Sequence, residues 1–225
     1  MRRALSIYQY AAPAILAPAS FLLWHGDLAG WLVPILWAYI VPGIGTNVLK
    51  VWEFDTRLRL GRFRPHHGFV FGSVTAMLGW LAKVVADRLK PVPHWAVGAS
   101  PLWDRLQPVL LNALILCVVI GACNIAYDII ALRAGILHVY NQPWAEGRSA
   151  VAIAMDYAPW FFGGFGAIYG AGIVFNEQWA LTLVLALVLP TAGYMLQSMF
   201  RYGHWGTRPI PNQCRTGFSP SGGTG

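Results

Sequence analysis

Charge is what this chain most lacks. Only 11% of its 225 residues are Asp, Glu, Lys or Arg, against 56% hydrophobic residues and a mean hydropathy of +0.51. That balance excludes an ordinary soluble domain, in which about a quarter of residues are charged. Cysteine is scarce as well. Cys117 and Cys123 lie on one apolar run at an offset that points them apart, and Cys214 is in the polar C-terminal stretch, so no disulfide framework or thiolate metal cluster is implied. The six histidines include no pair at helical ligand spacing, which disfavours a haem or di-metal oxygenase. A phosphate-binding loop, a nucleophile elbow and a dinucleotide fingerprint are all missing. The chemistry expected of such a chain is cofactor-free and metal-free.

What is abundant is unbroken apolar sequence. Windows of about 20 apolar residues, enough to cross a bilayer core as a helix, occur near 8–25, 29–50, 68–86, 107–132, 155–175 and 178–200. They predict an all-α bundle of six transmembrane helices over residues 1–201, followed by a flexible cytoplasmic tail from 202 to 225 that is rich in Pro, Ser and Gly. Pro13 and Pro18 interrupt the first window and no cleavage site follows, so it is read as a retained helix rather than a signal peptide. Twelve of the sixteen Lys and Arg fall on one side of this topology and four (Lys83, Arg88, Lys90, Arg105) on the other, which places both termini in the cytoplasm of a multi-pass cell-membrane protein. The net charge of +7 sits in short loops and helix ends, where topology and anionic headgroups account for it without nucleic acid.

With only nine acids, each can be weighed. Asp27, Asp87, Asp104 and Glu177 fall in turns or helix ends and read as caps or solvated carboxylates. Three others sit where helices meet the core: Glu53 at the end of the second window, Asp128 near the end of the fourth, and Asp156 at the start of the fifth. The predicted topology brings them to similar depth, where they could share one pocket. A carboxyl group in apolar surroundings prefers to be protonated, because desolvation penalises the ion. Such an acid is a proton donor awaiting a substrate. Structural readings stand beside this one: an ion pair between Asp128 and Arg133, a helix-start role for Asp156, and an interfacial charge cluster of Glu53 with Asp55, Arg57 and Arg59.

Spacing adds direction. Cys117, Gly121, Asn124 and Asp128 recur at helical intervals and predict a small, polar stripe looking into the bundle. Asp156, Trp160, Gly163, Ala167 and Gly170 follow the same rhythm, and Gly166-x-x-x-Gly170 lets a neighbouring backbone come close. That surface is also a candidate for homo- or hetero-oligomer contacts. Tyr127, Tyr157, Trp160, Phe161 and Phe162 flank the acids. Aromatic faces there suit a carbocation through cation–π attraction, and they suit a packed core equally.

The segment Tyr127-Asp128-Ile129-Ile130-Ala131-Leu132-Arg133-Ala134-Gly135, followed after an interval by Met155-Asp156-Tyr157-Ala158-Pro159-Trp160-Phe161-Phe162, resembles membrane-embedded carotenoid-modifying enzymes, the small lycopene cyclase subunits and related carotenoid hydratases. The likeness covers about 36 of the 225 residues, and it departs from the cyclase pattern in having Met155 where a doubled acid is expected. A weaker similarity joins Trp52-Glu53-Phe54 to the Trp-Glu motif of small integral-membrane terpene cyclases, whose second acid in the last helix this chain does not carry. Both resemblances imply acid-initiated isoprenoid chemistry: cyclisation, hydration or isomerisation of a lipophilic substrate. In that scheme Asp128 is the general acid, Asp156 its partner or the terminal base, Glu53 an alternative acid, and Asn124 the group orienting Asp128. Tyr127, Tyr157, Trp160 and Phe161 are pocket walls. The competing expectations are a non-catalytic membrane subunit or lipid-binding protein and a proton-coupled transporter.

Overall fold

The structure, a computed structural model, describes residues 2–47, 52–55, 66–89 and 92–206. It is an all-α bundle with one short β ribbon. The helices are α1 (Arg2–Trp24), α2 (Val33–Asn47), α3 (His67–Arg88), α4 (Leu102–Arg133), α5 (Gln142–Ala145), α6 (Ala150–Ala158), α7 (Phe165–Gly172) and α8 (Trp179–Tyr202). The ribbon pairs β1 (Trp52–Phe54) antiparallel with β2 (Leu137–Val139). Among the described residues, five helical segments are long and apolar enough to cross a membrane: Leu28–Thr46, Gly68–Arg88, Leu102–Arg133, Ala150–Gly172 and Asn176–Tyr202. The expected count of six is reduced at its first member. At 23 residues α1 has the length, but Ser6, Tyr8, Gln9 and Tyr10 dilute its apolar content and it is not one of the five. The expected tail lies, from residue 207 onward, outside the described residues, as do all five Lys and Arg between the second and third windows.

Two local rules place the segments that matter. The helix α4 ends in a Schellman turn: Gly135 takes φ +66°, its N–H bonds Leu132 O at 3.1 Å, and the N–H of Ile136 bonds Ala131 O at 3.0 Å. A residue with a Cβ resists that backbone, so Gly135 is what lets the chain reverse into β2. The second rule concerns Pro159. Proline within a helical run lacks the N–H that would close the preceding turn, and the helix widens into π geometry over Pro159–Gly164 before α7 begins. The wider turn brings Phe161 and Phe162, two adjacent residues, onto the face below Tyr157.

Helix packing follows the small residues. A Cβ on Gly166 would fall 2.4 Å from Leu116 O, and one on Gly170 would fall 2.4 Å from Asn112 O, so α7 lies directly on the backbone of α4. Gly121 and Gly163 meet in the same seam. The Gly166-x-x-x-Gly170 face is therefore filled by α4 of the same chain, which corrects its expected use for oligomer contacts. On the other side of the bundle, a Cβ on Gly72 of α3 would fall 2.7 Å from the Ile35 Cα of α2. Buried aromatics close the centre: the rings of Trp37 and Phe165 stack at 4.2 Å, Trp37 Nε1 donates to Ala186 O at 3.1 Å, and Tyr169 donates to Gly30 O at 2.5 Å. Each of these hydrogen bonds satisfies a polar atom that would otherwise be costly to bury.

Candidate active site

Asp128 lies on α4, five residues before the helix ends, and is 3% exposed. It borders a small pocket of about 40 Å³. Trp37, Trp52, Phe54, Phe71, Phe161 and Phe162 wall this space, with Leu137 and Tyr157 beside them. Of the expected stripe, Gly121, Asn124 and Asp128 are buried, while Cys117 is half-buried.

The carboxylate has one side-chain hydrogen bond among the described residues: Tyr157 Oη donates to Asp128 Oδ2 at 2.5 Å. Among the described residues no arginine holds it, and the expected alternative of a pair with Arg133 is not formed. Tyr157 is 3% exposed, and its ring lies 6.1 Å from that of Trp52. Trp52 in turn meets Phe161 edge-on at 5.4 Å. A single hydroxyl in an aromatic box gives a carboxylate little of the solvation it loses on leaving water.

The other expected site residues are placed differently. Asp156 is buried at 4% exposure but points away from the cavity, since successive helix residues diverge by about 100° and Tyr157 takes the inward direction. Its carboxylate accepts from Tyr202 Oη at 2.8 Å and Asn141 Nδ2 at 3.1 Å, and it lies 3.2 Å from Tyr194 Oη, whose one hydrogen is shared with Gly206 O at 2.9 Å. Asn141 is fully buried, and besides Asp156 it bonds Ile153 O at 3.0 Å and the Trp144 N–H at 3.2 Å. Asp156 is thus a tie between α6, α8 and the start of α5, which corrects both its expected role as partner of Asp128 and its reading as a helix cap. Ser149 caps α6 instead.

Glu53 is not at a helix end but in β1, opposite His138 in the ribbon. Strand alternation sends Trp52 and Phe54 into the cavity and Glu53 to the other face, so the alternative acid is withdrawn. Asn124 donates to Ile120 O of its own helix at 2.8 Å and does not orient Asp128. Tyr127 packs behind the cavity, its ring 5.1 Å from that of Phe71. Trp160, 37% exposed, turns outward and bonds Gln197. Of the eight expected residues, Asp128, Tyr157 and Phe161 line the cavity.

A larger groove of about 460 Å³ adjoins it, running between α2 and α8. Trp52, Phe161 and Val41 are walls of both spaces. The groove is lined by apolar side chains such as Ile44, Leu187, Val188 and Met195, and Trp205 stands at one end. Its volume is that of a site for a small organic molecule.

The chain matches no family model, no curated protein and no solved structure.

Proposed function

We propose that the chain is an integral-membrane enzyme of isoprenoid or carotenoid metabolism, in which Asp128 protonates an alkene or epoxide of a lipophilic substrate. The observation that supports this reading is an acid with no paired cation among the described residues, set in the wall of an aromatic cavity that adjoins an apolar groove. The protein would lie in the membrane with six spans, α1 included, and with both termini in the cytoplasm. Buried ionisable residues inside membrane bundles mark function by default.

The chemical step is redox-neutral. The O–H bond of Asp128 breaks and its proton joins one alkene carbon through the π pair, which leaves the other carbon as a tertiary cation. Asp128 becomes a carboxylate, and the Tyr157 hydroxyl holds the new charge. The faces of Trp37, Trp52, Phe161 and Phe162 surround the cation, each contact contributing about 0.5–2 kcal/mol. Ring closure by a second alkene, followed by return of a proton to Asp128, restores the acid. Water addition is the alternative ending, and a space of about 40 Å³ has room for roughly two or three water molecules. Asp156 takes no part, because its oxygens are engaged elsewhere.

The test is expression in a bacterial host that accumulates linear isoprenoids such as lycopene, or that is fed prenylated aromatics, with product analysis. Wild type should convert one of these and Asp128→Asn should not. Conversion by neither, with both proteins folded and in the membrane, removes the catalytic claim and leaves a lipid-binding bundle.

A further inference from the structure

Trp37 Nε1 ties α2 to the Ala186 carbonyl of α8 at 3.1 Å. Past that bond each helix carries a proline, Pro42 and Pro190, and a proline inside a helix removes a backbone hydrogen bond and bends the axis. The groove of about 460 Å³ lies between the segments that follow. Its rim is exposed, with Ile44 at 46% and Val188 at 53%, and both residues belong to segments long and apolar enough to cross a membrane. Its floor is buried, with Trp52 at 8% and Phe161 at 6%. In a bilayer, a groove with that rim opens sideways to acyl chains.

The walls define what fits. The hydrogens of the groove's hydroxyls are engaged within the fold: Thr191 Oγ donates to Leu187 O at 2.6 Å, and the Tyr194 hydrogen is shared between Asp156 and Gly206 O. Along α8 the lining runs from Leu187 to Met195, about 12 Å, which is less than half of a ~30 Å hydrocarbon core. Trp205, just beyond the end of α8, borders the groove where an interfacial tryptophan belongs. The groove therefore serves one leaflet, the one at the C-terminal end of α8, and offers a ligand apolar packing. Between it and Asp128 stand Trp52 and Phe161, edge-on at 5.4 Å. Trp52 is wedged, since a Cβ on Gly45 would fall 2.3 Å from its Cζ2. The Phe161 ring, carried by the π turn, meets Trp52 and Tyr194 through ring contacts, and turning it breaks no hydrogen bond.

We propose that the α2–α8 groove is the side entrance of the site: an isoprenoid chain enters it from that leaflet and lies along it, and its reacting end passes to Asp128 where the Phe161 ring turns aside. Phe161 is then a specificity-determining residue, because the bulk of its ring sets how thick an end can pass. The occupant is an isoprenoid and not a phospholipid acyl chain, because the groove leads to an acid that only an alkene end can use. This rests on the functional reading above and adds to it the path and the leaflet of origin.

The probe is a farnesene analogue with a diazirine at the end remote from the diene, photolysed with the purified full chain in phosphatidylcholine vesicles, the labelled residues being located by mass spectrometry. Exposed Leu114 and Val118 of α4 record the background of label taken from the lipid phase. In wild type, Ile44, Val188 and Met195 should carry about fivefold or more label than that background, the ratio expected for about 1 kcal/mol of preference. Unlabelled farnesene should displace it and methyl palmitate should not. Ala192→Trp, which fills the groove from its exposed rim, should bring the groove label down to background. Phe161→Ala should carry label onward to Phe71 and Leu137 in the Asp128 pocket, and Phe161→Trp should not. Groove label at background in wild type, equal displacement by methyl palmitate, or label unchanged in Ala192→Trp would overturn the entrance. Label that stays in the groove in Phe161→Ala would overturn the role of Phe161; should that variant fold poorly, Phe161→Leu makes the same comparison. The two ideas separate: groove label without turnover of any isoprenoid would fail the enzyme reading alone, and turnover that survives Ala192→Trp with no groove label would fail this proposal alone.

Discussion

Tyr157→Phe isolates the interaction on which the catalytic reading turns. The substitution deletes one oxygen and keeps the ring that packs 6.1 Å from Trp52. In the resting acid the lost hydrogen bond is neutral, with a net contribution of about 1 kcal/mol. In the transition state the carboxyl group is becoming a carboxylate, and the same bond becomes charge-assisted, with a contribution of about 1.5–3 kcal/mol. The difference, about 0.5–2 kcal/mol, belongs to the transition state alone and corresponds to roughly 2–30-fold in turnover. Because no other polar group bonds Asp128 among the described residues, nothing nearby takes over. The assay is turnover of a linear isoprenoid in membranes at saturating substrate, normalised to folded protein. The thermal unfolding midpoint should fall as well, since an Asp128 oxygen is left unpaired in the core. Turnover equal to wild type together with a lowered midpoint would refute the reasoning: Tyr157 would then hold the fold and leave the chemistry untouched.

Other outcomes follow from the same structure. Gly166→Ala should destabilise by about 1–3 kcal/mol through forced separation of α7 from α4, read as a lower unfolding midpoint in detergent, because its Cβ would meet Leu116 O at 2.4 Å. Gly135→Ala should cost about 1–2 kcal/mol by placing a Cβ at φ +66°, measured the same way. Asp156→Ala should destabilise by about 1.5–3 kcal/mol, since Tyr202 and Asn141 lose their acceptor, while turnover per folded molecule stays near wild type; a loss of turnover beyond the loss of folded protein would return Asp156 to the catalytic set.

The parts legible in the sequence were those with a period. The apolar runs from 29 onward became helices long and apolar enough to cross a membrane, the Gly121, Asn124 and Asp128 members of the polar stripe turned inward, and Gly166-x-x-x-Gly170 met a backbone as small residues at that spacing allow. Contacts across sequence distance were not legible. Trp52-Glu53-Phe54 reads as the end of a helix until Leu137-His138-Val139, some eighty residues away, is there to pair with it. That pairing decides that Trp52 and Phe54, and not Glu53, enter the cavity. Asp156 and Tyr157 show the same limit on a helix: both are buried, and only the positions of α4 and α8 tell which one faces the site. Asn141 had no signal beyond its use as a cap ahead of Pro143. Pro159 did carry one, since a proline inside an apolar run announces a break, and the resulting π turn is what supplies both Phe161 and Phe162 to the cavity.

The most direct measurement is a single turnover in deuterium oxide, with enzyme equilibrated in that solvent and in excess over an unlabelled linear isoprenoid. If Asp128 delivers the proton, each product molecule from wild type carries one deuterium at the carbon that was protonated, and Asp128→Asn yields no product. Product free of deuterium, or labelled product in undiminished yield from Asp128→Asn, would contradict a proton held by Asp128 for the substrate.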